Sequence, residues 1–229
     1  NKLLVDKENN IEIKDNAVEL NIQVPELTIN VKGKGLIQEI SKKDNENLNL
    51  TINIEPNSSL IYNRFILHNE ANNNINIIQD NNSNVVFNYS YIAYDKVKIN
   101  VNSELKGNNN ETEIKVAAVT EEKGNTVVSS TADILPNIKD NNLIESIKIL
   151  LINNEESVCI PNLLVSSDEV EVNHAATISC IDPNYLFYLN SKGLSTEAST
   201  KLIKNGFLLN NLDINEKLKE QINDLIGGK

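Results

Sequence analysis

The chain has 229 residues, of which 40% are apolar and 4% aromatic, with two cysteines and a formal net charge of −11. That length suits one domain, or one domain with a small appendage, and it buries a core without disulfides or metals. The negative charge and the single arginine, Arg64, argue against nucleic acid as a partner and against bidentate clamping of phosphate or carboxylate substrates.

No segment approaches the roughly 18 consecutive apolar residues of a membrane-spanning helix, so no membrane role is expected. No charged stretch leading into an apolar run opens the chain, so a signal peptide is not expected and a cytoplasmic location is. The 41 asparagines are spread along the sequence and read as a compositional bias.

From Val18 to Cys180 the pattern is one of repeated short strands. Val18 to Val24 alternates apolar and polar residues with period two, and so do Leu48 to Ile54, Val97 to Val101 and Glu111 to Val116. Further strands are expected at Leu36–Ile40, Leu60–Leu67, Ile75–Gln79, Val85–Tyr94, Val127–Ile134 and Ile144–Leu151. Clusters of Asn, Asp, Ser and Gly separate them, as in Glu55–Ser59, Asp80–Asn84 and Gly107–Asn110. Gly33-Lys34-Gly35 reads as a turn, and His68, in a polar stretch, as a solvated turn histidine. An antiparallel sandwich, a barrel and a parallel β-helix all fit this array. The asparagines favour the β-helix, because polar side chains stack from coil to coil.

After Cys180 the signals become helical. Asp182-Pro183 is an N-cap followed by proline at the first helical position. A helix over Asn184–Lys192 should stop at Gly193. Ser195 should cap a second helix ending at Gly206. Asp213 and Glu216 form a capping-box pattern before an apolar stripe of Ile214, Leu218, Ile222, Leu225 and Ile226, closed by Gly227-Gly228. The expected organisation is a β domain over residues 1–180 and a helical region over 181–229, whose apolar faces must bury against the β domain, another helix or a partner.

The chemistry-bearing motifs are few. No GxxxxGK[ST], GxSxG, HExxH or CxxC pattern occurs, so no catalytic residue is assigned and the chain is not read as an enzyme. His174 follows the alternating Val170-Glu-Val-Asn and precedes small residues. It reads as a structural histidine or as an interfacial metal ligand. Cys159 and Cys180 read as buried, inert thiols.

The segment from Ser157 to Phe207 nevertheless resembles the SufB/SufD family of the Suf iron–sulfur cluster assembly system. The matching residues are Pro161-Asn-Leu-Leu-Val165, Val170-Glu-Val-Asn-His174-Ala-Ala-Thr177, Ile181-Asp182, Leu186-Phe-Tyr-Leu-Asn-Ser-Lys-Gly-Leu194 and Leu202 to Gly206-Phe207. The resemblance implies a right-handed parallel β-helix with a small C-terminal helical region. It implies a dimer, with itself or a SufB/SufD-like sister subunit, formed through the last coils. It also implies docking of a SufC-like ABC ATPase on the helices, with Phe187, Tyr188, Lys192, Gly193, Leu194, Leu202, Gly206 and Phe207 at that edge. A transient iron–sulfur cluster would be shared with the partner, with His174 as its ligand; Cys159 and Cys180 are possible thiols for it, but neither aligns with the family's sulfur-accepting cysteine. Ala175 follows His174 where a SufB-like pattern has Glu. Ile147 or Ser146 stands where a SufB-like member has a sulfur-accepting Cys. Both features point to a SufD-like subunit.

Two other classes compete. A carbohydrate-active β-helix enzyme needs clustered carboxylates on one face, whereas here Asp is scattered among turns. A purely structural or adhesive β-solenoid accounts for the asparagines but not for the three capped helices.

Overall fold

The computed structural model describes residues 2–152 and 156–227. Among these described residues eleven strands are followed by three helices. In chain order they are β1 (Lys2–Val5), β2 (Asn10–Ile22), β3 (Glu26–Ile54), β4 (Ser59–Gln79), β5 (Asn84–Ala93), β6 (Lys96–Leu105), β7 (Glu111–Thr120), β8 (Asn125–Ile134), β9 (Asn141–Leu151), β10 (Val158–Val165) and β11 (Val170–Cys180), then α1 (Pro183–Ser191), α2 (Thr196–Leu209) and α3 (Glu216–Gly227).

Every strand pair is parallel. The two long strands β3 and β4 each pass through both walls of a solenoid. The first half of β4 pairs with β5 and its second half with β6. From there one wall stacks β5, β7, β9 and β11, and the other stacks β6, β8 and β10. The parallel β-helix expected from the asparagines is therefore the architecture adopted. Leu36–Ile40 and Leu48–Ile54 belong to one strand, as do Leu60–Leu67 and Ile75–Gln79. Gly33, with φ +76, lies inside β3 rather than in a separate turn, where Asp15 crowds the space a Cβ would fill.

The two walls read differently because only one is covered on both faces. Helices α2 and α3 lie on the outside of the first wall. There Leu208, Leu212, Ile222 and Ile226 pack with Phe65, Leu67, Ile92, Tyr94, Val119 and Leu150. A strand buried on both sides loses its alternation, and β5 is buried continuously from Phe87 to Ala93. The second wall faces water outside, so it alternates apolar-in and asparagine-out. Its outward-facing asparagines form ladders: Asn74 donates to Asn49 at 3.0 Å, Asn100 to Asn74 at 2.7 Å and Ser129 to Asn100 at 2.6 Å.

Asparagine also makes the corners. Asn57, Asn82 and Asn109 stack on successive turns with φ of 60, 56 and 62°, and each carries the next through its side-chain amide. Asparagine enters this left-handed region more readily than most residues, because its side chain hydrogen-bonds locally. The asparagine content is thus structural in these places, not only compositional bias. Asn82→Ala should lower the unfolding free energy by about 1–2 kcal/mol, measured by urea denaturation, and Asn82→Gly should restore most of it. An alanine variant as stable as the parent would show that the corner tolerates any residue.

The helix signals hold with two differences. Asp182 caps α1 by accepting from the Asn184 amide, and Ser195 caps α2 by accepting from Ala198. Helix α2 runs through Gly206 to Leu209, because its last turn is held by burial of Leu208 against the sheet. Asn215 rather than Asp213 caps α3, since its side chain accepts from the Leu218 amide. Gly228 lies outside the described residues.

Candidate functional site

Two surfaces stand out, and the first is the end of the solenoid. β11 pairs with β9 along its whole length, and β10 pairs with β8. Among the described residues neither has a further strand beyond it, so the last coil leaves its edge and its interior open. Val158, Ile160, Leu164, Val165 and Ile178 are all exposed there. Open parallel edges with apolar side chains are templates for another chain, and solenoids need their ends closed.

His174 lies on this last rung, and it is exposed. It pairs in register with Glu145 of β9. Glu145 is buried, and burial pushes its carboxyl up to about 7, against a smaller opposing pull from the Ser130 hydroxyl. Nothing in the local sequence around Glu145 marks it. Only the register with His174 does.

Cys159 sits half-buried on β10, against the main core, and its thiol pKa is raised by burial. Cys180 ends β11 in the open, which corrects its reading as a buried thiol. Ser146 and Ile147, the two positions the resemblance sets against a sulfur-accepting cysteine, pair with Ala175 and Ala176 of β11. Ile147 faces the core and Ser146 the outer side. Among the described residues no three His, Cys, Asp or Glu side chains gather as a metal group.

The second surface is α1. None of its residues is buried. Tyr185, Phe187 and Tyr188 are 65, 76 and 57% exposed, an unusual display for a nine-residue helix. Aromatic side chains in such a setting are the usual anchors of protein interfaces. Lys192 caps the helix and places its Nζ 5.5 Å from the Tyr188 ring centroid. Gly193 follows with φ +95, the left-handed conformation that ends a helix. Leu194 and Leu202 are exposed beside it. Gly206 lies within α2, and Phe207 is half-buried against the sheet core. Phe187, Tyr188, Lys192, Gly193, Leu194 and Leu202 therefore share open surface, whereas Phe207 is committed to packing. Tyr185, which the sequence reading passed over, belongs with the open group.

The position of these helices is fixed by side chains that reach from the sheet to their backbone. Asn63 donates to the Asp213 carbonyl at 2.8 Å and accepts from the Asp213 amide at 2.9 Å. Ser90 donates to the Leu208 carbonyl at 2.9 Å. Lys204 pairs with Glu121.

Deep inside the first coils lies a group the sequence did not announce. Arg64, fully buried, reaches Glu39 at 2.9 Å through Nε and both Glu46 oxygens at 2.8 Å through one terminal nitrogen. Tyr62 donates to Glu39 at 2.7 Å, and Asn73 donates to Glu46. The Tyr89 ring lies under the guanidinium, and its hydroxyl is 2.6 Å from His68 Nε2. His68 is therefore a core strand residue, not a turn residue. The one arginine does clamp a carboxylate, but an internal one.

Comparison with known proteins returns one consistent group. A family model described as SUF system FeS cluster assembly, SufBD core domain, matches residues 27–207, which takes in nearly all of the strand array as well as the segment from Ser157. The iron–sulfur cluster assembly protein SufD of Bacillus subtilis is 39% identical over 72 residues, covering 30% of this chain and 16% of that protein. An iron–sulfur cluster assembly SufBD family protein of Staphylococcus aureus strain USA300 is 37% identical over 65 residues, covering 28% of this chain and 14% of that protein. The aligned stretch thus spans a small part of either relative's length.

Proposed function

The chain belongs to the SufBD core family of the SUF iron–sulfur cluster assembly system, and on that premise we propose that it is a non-catalytic scaffold subunit on which a cluster is assembled as cargo. One observation carries the reading. The solenoid is unfinished at the β11 end, and His174 stands exposed on its last rung. A second family-type chain, a copy or a sister subunit, closes that end and brings its own ligands to the cluster. With Ala175 beside His174 and no thiol at positions 146 or 147, this chain supplies an imidazole and the partner supplies sulfur. That division of labour is the SufD-like one.

Helix α1 is the docking edge for an ABC-type ATPase. Its exposed aromatic triplet is available because none of it is spent on folding. Among the described residues no helix is long and apolar enough to cross a membrane, and the scaffold is expected to work in the cytoplasm.

An anaerobic pull-down of the tagged chain from its own lysate tests the proposal. The expected result is recovery of an ABC-type ATPase and a SufB-like protein. The double variant Phe187→Ala/Tyr188→Ala should lower ATPase recovery at least about ten-fold, as loss of two interface anchors does, with unchanged circular dichroism. Failure to recover any ATPase at low salt would sink the docking role.

A further inference from the structure

One column of register-matched residues runs along the interior of the first wall: Ile37, Tyr62, Phe87, Ile114, Glu145 and His174. Four rungs are aliphatic or aromatic. The last two, at the open end, are a carboxylate and an imidazole. Register partners in a parallel sheet stand about 4.8 Å apart and send their side chains the same way. Glu145 therefore lies directly beneath His174.

Glu145 is 2% exposed, and neither carboxylate oxygen receives a hydrogen bond of ordinary geometry. The Ser130 hydroxyl is the one polar group acting on it, and a sealed carboxylate so placed is unfavourable unless a proton or a cation joins it. The other buried glutamates, Glu39 and Glu46, have Arg64 for that purpose. Glu145 has no cation beside it among the described residues. By register it stands one rung in from the open end, under the exposed imidazole.

We propose that Glu145 and His174 together form half of a divalent-metal site, suited to Fe2+, whose remaining ligands come from the chain that closes the solenoid end. Carboxylate with imidazole is a donor set for first-row divalent metals. Two ligands leave the coordination sphere open. Cys159 faces the same interior from the other wall but does not join them into a three-ligand group. The site explains why an acid stands where the column has so far been apolar. The inference rests on the cluster-facing role of His174 and adds Glu145 to it.

Co2+ serves as the air-stable probe for Fe2+, added to the full-length chain and followed by its visible d–d absorption and by equilibrium dialysis. Wild type should bind Co2+ saturably. Glu145→Gln and His174→Ala should each weaken binding ten-fold or more. Glu145→Gln should unfold at the same temperature as wild type or higher. On wild type itself, Zn2+ should shift both the His174 ring signals and the Glu145 carboxyl carbon signal in NMR spectra. Undiminished Co2+ binding by Glu145→Gln, with loss in His174→Ala, overturns the role of Glu145 and leaves that of His174. A Zn2+ shift of His174 alone has the same meaning. Absence of saturable Co2+ binding by wild type overturns the metal site as a whole, while the ATPase capture experiment still judges the scaffold role separately.

Discussion

Arg64→Met is expected to destabilise the chain by about 3–5 kcal/mol, the usual result of leaving buried charge without its partner. Methionine fills much of the arginine's volume, so packing is a minor part of the loss. Glu39 and Glu46 are what remain. Glu39 is fully buried, and its carboxyl is already raised by desolvation, with Arg64 the main opposing pull. Glu46, at the edge of the cluster, is desolvated too, but Arg64, His68 and Asn73 together hold its carboxyl below its ordinary value. Without the guanidinium, both acids must take up protons or the coil must open. Urea unfolding at pH 7 measures the difference. The triple variant Arg64→Met/Glu39→Gln/Glu46→Gln should recover most of it, because the penalty lies in the unpaired carboxylates and not in the missing cation. A single variant within about 1 kcal/mol of wild type would mean that water reaches the cluster and screens it.

The second large effect is acid lability from the same cluster. His68 is fully buried, and desolvation is the first cause that depresses its imidazole, to about 3. Glu46 pulls the other way, and Arg64 and Lys43 add to the depression. In the unfolded chain the ring titrates at its ordinary 6.5. The folded state therefore holds fewer protons than the unfolded one between those values. Its stability is complete above pH 6.5 and falls as the pH drops toward 3. At about 1.4 kcal/mol per pH unit, the loss from this one group is about 2 kcal/mol at pH 5 and about 3 kcal/mol at pH 4. His68→Gln cannot take up the proton and should flatten the pH dependence between 6.5 and 4, whatever its stability at pH 7. Unfolding curves at half-unit steps would show it. Equal acid slopes for the variant and wild type would assign the lability to other groups.

These two effects share a cause with the candidate metal half-site. Arg64 meets Glu39 from 25 residues away, and His174 meets Glu145 from 29. Both pairs are neighbours because one turn of the solenoid returns the chain to the same rung. Among the buried carboxylates of the described residues, Glu39 and Glu46 have Arg64 delivered to them by that turn, and Glu145 has no such cation.

What the sequence determined was local. Alternation identified the strands of the water-facing second wall, and the asparagines between them marked corners and ladders. Asp182 and Ser195 fixed two helix starts, because a cap depends only on residues two or three positions away. The ordered motifs from Pro161 to Phe207 identified the family. What only the tertiary structure decided was which residues stack. The turn takes 25 residues from Lys34 to Ser59, 27 from Asn84 to Glu111 and 31 from Glu111 to Asn142, so no fixed period could be read along the chain. His68 looked solvated because its sequence neighbours are polar, yet its spatial neighbours are Tyr89, Tyr91 and Arg64's partner Glu46. Gly206 looked like a helix stop until burial of Leu208 carried α2 past it. Alternation tells which side of a strand a residue takes, and only the length of each turn tells what it meets there.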